Sequence, residues 1–246
     1  MKLLPAIEKR NILQEKFTSK LKEIEEEIFY SSSNFEGKYR SYIPNSETDD
    51  NYKDAYLSEP DCSKIEVKYI VKDVLNNLIK IFNKYVNATI AIEETIGNEN
   101  KVELSLNNKI IGKFSGTTLL SIENNLRKLL KIFKDIPTLD MSYDWKQSDK
   151  KNIFEHTEIV NRTTKFETYQ VTSPATEFQQ AVTHKVERPI TVGKFNDRYF
   201  SSAIYQDEKD AYIEKIENFL VDVKKAKNKA NDIDVQNYNI DFSKLI

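Results

Sequence analysis

The sequence predicts an α+β fold in which antiparallel hairpins pack with three to four long helices and one polar β-hairpin projects from the rest. Three observations carry this reading. Apolar residues recur at helical spacing in several long stretches. Between them lie short alternating runs bounded by Asn-rich turns. Finally, "RTTKFETYQVTSPATEFQQAVTHKVERPITV", Arg162 to Val192, is rich in Thr and Val and without leucine. It has strand composition but is too polar to be a core.

The elements follow in chain order. Pro5 to Tyr30 reads as a helix, with Ile7, Leu13, Phe17, Leu21, Ile24 and Ile28 on one stripe. Pro5 suits a first turn. Such a stripe docks on its own domain or on a neighbouring subunit. Ser31 to Ser63 is a long connection carrying Tyr39, Tyr42, Tyr52 and Tyr56, which favour an ordered arm. "KIEVKYI", Lys64 to Ile70, alternates as a strand, and Val71 to Tyr85 forms a helix. Ala88 to Ile96 and Lys101 to Phe114 read as antiparallel strands, with turns at Gly97-Asn98 and Asn107-Asn108. Ser115 or Thr117 caps a helix that runs to about Lys134 and is ended by Pro137. Asn152 to Val171 and Phe178 to Ile204 read as strands, broken at Ser173-Pro174, with a turn at Asn196-Asp197. Tyr205 to Asn231 is the last long helix, its C-terminal end loaded with lysine as the helix dipole favours. The tail "DIDVQNYNIDFSKLI" alternates weakly and ends apolar.

The implied organisation has three parts that co-fold as one domain. Residues 1–63 are a helix and a tyrosine-rich arm, 64–140 a compact strand–helix–hairpin–helix unit, and 141–246 the extended hairpin, last helix and tail. "GKFSGTTLLSIENNLRKLLKIF" and "DRYFSSAIYQDEKDAYIEKIENFL" share the order strand, aromatic, Ser, small residue, helix. A duplicated hairpin-plus-helix unit would explain that echo.

Composition excludes several classes of function. With 246 residues, 39% apolar and 31% charged, the chain is long enough to bury a core without staples. A net charge of −2 gives no global field for nucleic acid or anionic membrane. The lone Cys62 allows no disulfide within the chain and suits a reducing cytoplasm. No signal-peptide pattern and no apolar run long enough to span a bilayer is present, so a cytoplasmic protein with no membrane partner is expected.

Chemistry is sparse. His156 and His184 have no partner at metal-ligand spacing, and surface strand histidines are the commoner explanation. Cys62 follows Asp61, a setting that does not activate a thiol. The chain has five glycines and neither a GxxxxGK[ST] nor a GxGxxG loop. The acidic stretch "NSETDDNYKD" lacks the glycine and spacing of a calcium loop. No catalytic residue, cofactor or metal is therefore expected.

The order of landmarks resembles a bacterial domain family of unknown function common in actinobacteria, over nearly the whole chain. They are "YRSYIP", "KIEVKYIVKDVL", "KDIPTLDMSYDW", "NRTTKFE", "PATEFQQA", "GKF…FSSAI" and "AKNKAN". Trp145, Arg162-Thr163-Thr164, Ala175-Thr176-Glu177 and Ala181 carry the match best. Gln179-Gln180 stands where relatives carry His-Pro, which weakens any catalytic role for that loop. The resemblance implies a defined fold and supplies no activity.

The functional expectation rests on the hairpin. A long hairpin buried only at its base leaves unpaired edges, which another copy of the chain covers by strand addition. The sequence thus predicts a non-enzymatic, self-associating protein, a homo-oligomeric ring or larger assembly formed through the projecting hairpin and the terminal segments, with Phe166, Tyr169, Val171 and Phe178 at the interface. Two alternatives stay open. Arg162, Lys165, Lys185 and Arg188, interleaved with aromatics, suit a nucleic-acid-binding face, although nearby glutamates dilute the charge. Tyr39, Arg40, Arg162 and Thr163 suit a ligand or enzyme site between subunits.

Overall fold

The structure, a computed structural model, describes residues 3–44, 64–97, 101–106, 109–176 and 180–231. For 44, 106, 161–169, 188–192 and 231 it describes the backbone alone. The fold is α+β, with four long helices and antiparallel sheets among the described residues. The chain divides into two compact units that alternate along the sequence: Met1–Tyr30, Asp73–Thr138 and Ile204–Ile246 in one, Ser31–Lys72 and Leu139–Ala203 in the other.

The first unit is mainly helical. Helix α1, Leu3–Glu23, runs into one π-helical turn, Ile24–Ile28. Helix α2 spans Val71–Ile96, and so includes Ala88 to Ile96, which the sequence suggested as a strand. The physical reason is a seam. Val71, Leu78, Tyr85 and Ile92 are buried at seven-residue intervals, with Leu75, Phe82 and Thr89 between them. That face continues unbroken through the β-branched residues, and packing outweighs their local preference. Thr89 and Thr95 satisfy their hydroxyls on the carbonyls of Tyr85 and Ala91, at 3.0 and 2.6 Å.

Strands β2, Val102–Leu106, and β3, Lys109–Phe114, form a hairpin with a bulge at Leu104/Ser105. Its turn at Asn107-Asn108, like Asn98, lies outside the described residues. Helix α3, Gly116–Lys134, starts at an extended Ser115 whose Oγ accepts from the Thr118 N–H at 3.2 Å. Helix α4, Gln206–Asn231, opens with Asp207 and Glu208, as its dipole favours. It runs antiparallel to α3: Tyr212 meets the Phe133 ring edge-on, Glu217 pairs with Lys134, and Lys227 reaches Glu123 at 2.5 Å. Glu123 is buried but also accepts from Arg127 at 2.7 Å, and the Lys227 and Arg127 bonds hold its carboxyl below the usual range.

The described residues of the second unit form a four-stranded antiparallel sheet in the order β1-β6-β5-β4. Strand β1 is Glu36–Pro44, so the tyrosine arm contributes a strand; residues 45–63 lie outside the described residues. Strand β4 is Lys146–Gln147, β5 is Phe154–Ser173 and β6 is Val182–Ser201. The "KIEVKYI" stretch is not a strand. It touches β1 through one bridge, with Lys38 and Ile65 exchanging N–H···O bonds of 3.0 and 2.8 Å, and the Lys68 and Tyr69 N–H groups then turn to the Asn34 carbonyl. Gly37 permits this approach, because a Cβ there would lie 2.7 Å from the Ile65 oxygen.

Both hairpins lead into a long helix, β2-β3 into α3 and β5-β6 into α4, the order that the sequence echo suggested. Among the described residues, no helix is long and apolar enough to cross a membrane.

Candidate functional site

The register of the large sheet decides which side chains meet. Strand residues alternate between faces, and opposed residues share one. Lys38, Arg40 and Tyr42 oppose Tyr199, Asp197 and Phe195, which oppose His156, Glu158 and Val160. One face of the sheet therefore gathers charge and aromatic rings.

Asp197 is its electrostatic centre. Its carboxylate, 1% exposed, accepts from Arg40 Nε and Nη2 at 2.6 Å each, in a bidentate fork. Lys38 Nζ lies at 3.4 Å. The Arg40 bond holds the Asp197 carboxyl below the usual carboxylate range against the opposing pull of burial, with Lys38 adding to it. The Arg40 guanidinium also sits 4.8 Å over the Phe195 ring, and Lys38 sits 5.0 Å over Tyr199. The sequence suggested a turn at Asn196-Asp197; both residues instead lie inside β6. Two cations reach Asp197 from β1, so the strand conformation outweighs the local turn preference.

His156 is the aromatic centre. Tyr143 and Tyr199 stack on its two faces at 4.3 and 4.7 Å, with interplanar angles of 15° and 9°. Trp145 meets it edge-on at 4.4 Å. The Trp145 indole N–H donates to the Asp140 carbonyl at 2.8 Å, which fixes its orientation.

Beside this stack the sheet loses a neighbour. Strand β4 pairs only through Lys146 and Gln147, with Glu155 and Phe154. From His156 onward, no strand among the described residues pairs with the outer edge of β5. A polar concavity of about 310 Å³ lies at that point, lined by Tyr143, Asp144, Lys146, Glu155, His156 and Glu158 among others. Just beyond it, Ile159 and Val160 are 68% and 44% exposed, on opposite faces of the strand. An antiparallel edge turns every second N–H and C=O outward, so the arrangement offers backbone hydrogen bonds, apolar contact and a polar socket together.

Further out, among the described residues, the hairpin stands on its own two strands. Strand β1 pairs with β6 only over Gly193–Ser201, yet the β5-β6 ladder continues to Ser173 opposite Val182. Bulges at Arg162/Thr163 and Thr163/Lys165 mark the transition.

The structure distributes the residues singled out in the sequence unevenly. Val171 is half exposed and opposes His184. Phe166 and Tyr169 oppose Pro189 and Val186 in the backbone ladder, and Phe178 lies outside the described residues. Lys185 is exposed opposite Gln170; Arg162, Lys165 and Arg188 are placed by backbone alone, opposite Gly193, Ile190 and Glu167. Thr163 opposes Thr191. Tyr39 and Arg40 are adjacent in β1 and so point to opposite faces, with Arg40 committed to Asp197. The His156 stack and Asp197 were not identified from the sequence. The tyrosines and tryptophan that meet His156 are separated along the chain, and only the strand register unites them.

Among the described residues, no group of three or more His, Cys, Asp or Glu could hold a metal ion. A family model described as a family of unknown function, DUF7873, matches residues 1–242. The chain belongs to this family. DUF7873 thus covers both units, including the whole β5-β6 hairpin. No curated protein and no solved structure matches the chain.

Proposed function

We propose that this DUF7873 protein is a non-enzymatic, self-associating protein that builds a homo-oligomeric ring or larger assembly by strand addition along its long hairpin. The outer edge of β5 from His156 onward, with which no strand among the described residues pairs, carries the reading. A long strand edge invites another strand, and exposed Ile159 and Val160 raise the gain from covering it. A second copy supplies a complementary strand without any further gene product. The setting is a reducing bacterial cytoplasm, and the lone Cys62 suits the reducing compartment.

Light scattering on a size-exclusion column tests this, with absorbance read at 260 and 280 nm. The expected outcome is a discrete oligomer free of nucleic acid, which Ile159→Lys reduces in mass while leaving circular dichroism unchanged. A sharp monomer of the unaltered chain at micromolar concentration would sink the proposal. Excess absorbance at 260 nm would favour the basic residues of the hairpin as a nucleic-acid face instead.

A further inference from the structure

The helical unit carries a groove that the self-association reading does not use. Helix α1 is fixed at its C-terminal half, where Phe17 stacks on Tyr85 and tilts against Phe82, each 5.6 Å away. Phe17 is the only buried residue of α1, while Leu3, Leu4 and Ile12 stay exposed. Between the N-terminal half of α1 and the C-terminal half of α2 lies a groove of about 770 Å³. Leu3, Ala6 and Leu13 line one wall; Ala88, Ala91 and Ile92 line the other. Ala6, Ala88 and Ala91 leave room between the two walls. Its described charged lining consists of Lys9 and Lys84.

We infer that this groove is the docking site for the chain's own C-terminal segment, residues 232–246. Three observations point to that occupant. The first is where the described chain ends. Helix α4 runs antiparallel to α3, so its end at Asn231 lies toward the start of α3. The start of α3 is tied in turn to the end of α2: Glu94 accepts from the Ser115 N–H and the Thr118 hydroxyl at 3.0 and 2.9 Å. The segment therefore begins near the Leu3/Thr95 end of the groove. The second is reach. Fifteen residues follow Asn231. The groove runs along α2 from Thr95 to Lys84, about 17 Å at helical rise, and fifteen residues can span up to about 50 Å. The third is chemistry. "DIDVQNYNIDFSKLI" carries Ile233, Val235, Tyr238, Ile240, Phe242 and Leu245 for an apolar groove, and Asp232, Asp234 and Asp241 for its lysines. Occupation would bury the apolar face that α1 leaves open.

Full-length protein with Cys62→Ser, Ala91→Cys and Ile240→Cys tests the inference with a short bismaleimide. The expected product is an intrachain link between positions 91 and 240, with no dimer band on a denaturing gel. Hydrogen exchange on protein with the native Ala91 and Cys62 supplies a second reading. Replacing Tyr238, Ile240 and Phe242 by Ser should make amides of residues 3–16 exchange about tenfold faster. An interchain link would assign the groove to a second copy and overturn the inference. Unchanged exchange in α1, or absence of the link, would overturn it too. Neither readout depends on the β5 edge, so the two proposals fail separately.

Discussion

Asp197 shows what a single buried carboxylate demands. It is almost fully enclosed, and its charge is balanced by Arg40 in a fork with Lys38 alongside. Removing Arg40 strands most of that charge, so Arg40→Met should cost about 3 kcal/mol in urea unfolding. The pH dependence follows from the direction of the shift. The folded carboxyl lies below its unfolded value of about 3.9, so the stabilisation is present above that value and lost as pH falls through the folded value. Unfolding free energy measured from pH 6 to pH 2 should therefore fall less steeply in Arg40→Met than in the unaltered protein. His156 poses a different question at the same scale. If its role is to fill the space between Tyr143 and Tyr199, a flat ring suffices. His156→Phe should be nearly neutral, and His156→Ala should lose about 1–2 kcal/mol of stacking and packing. Equal losses in the two variants would instead mean that the imidazole nitrogens matter.

Elements differ in how much of their stability is local. Helix α3 begins at a side-chain cap, and Ser115→Ala should lower stability by about 1 kcal/mol in thermal or urea melts. That cap was legible in the sequence, as were the spacing and ends of α3 and α4, because caps, dipole charges and periodicity are properties of neighbouring residues. The hairpin strands were legible from composition for the same reason. What escaped was set by distant partners. Ala88 to Ile96 has strand composition but continues a seam fixed by what packs on α2. "KIEVKYI" alternates like a strand, yet among the described residues one bridge to Lys38 is all the strand pairing it finds. Asn196-Asp197 looks like a turn until Arg40 and Lys38 arrive from 157 and 159 residues away to hold it straight. The candidate site shares that fate: the length of the hairpin could be read, but not the point at which β4 stops covering β5.

For the whole molecule, the hairpin beyond the β1 pairing is expected to contribute to association more than to folding. Asn161 directly opposes Lys194. Replacing residues 162–193 by Asn-Gly should close a tight two-residue hairpin there. The shortened protein should keep a cooperative unfolding transition and the helical circular dichroism of the full chain, but sediment as a monomer. Loss of cooperative folding would instead make the outer hairpin part of the fold itself.

The alternation of the two units along the chain has a consequence for synthesis. Strand β1 has been translated by residue 44 but meets its strand partner β6 at Gly193–Ser201, and the helical unit waits for α4 after that. At ordinary elongation rates this leaves β1, with Tyr42 and Ile43, without β6 for roughly ten to thirty seconds on the ribosome. Neither unit can be completed as a nascent domain before the other has largely been made. Truncated chains ending before β6 should therefore bind chaperones or aggregate, and the order of translation itself becomes a determinant of yield.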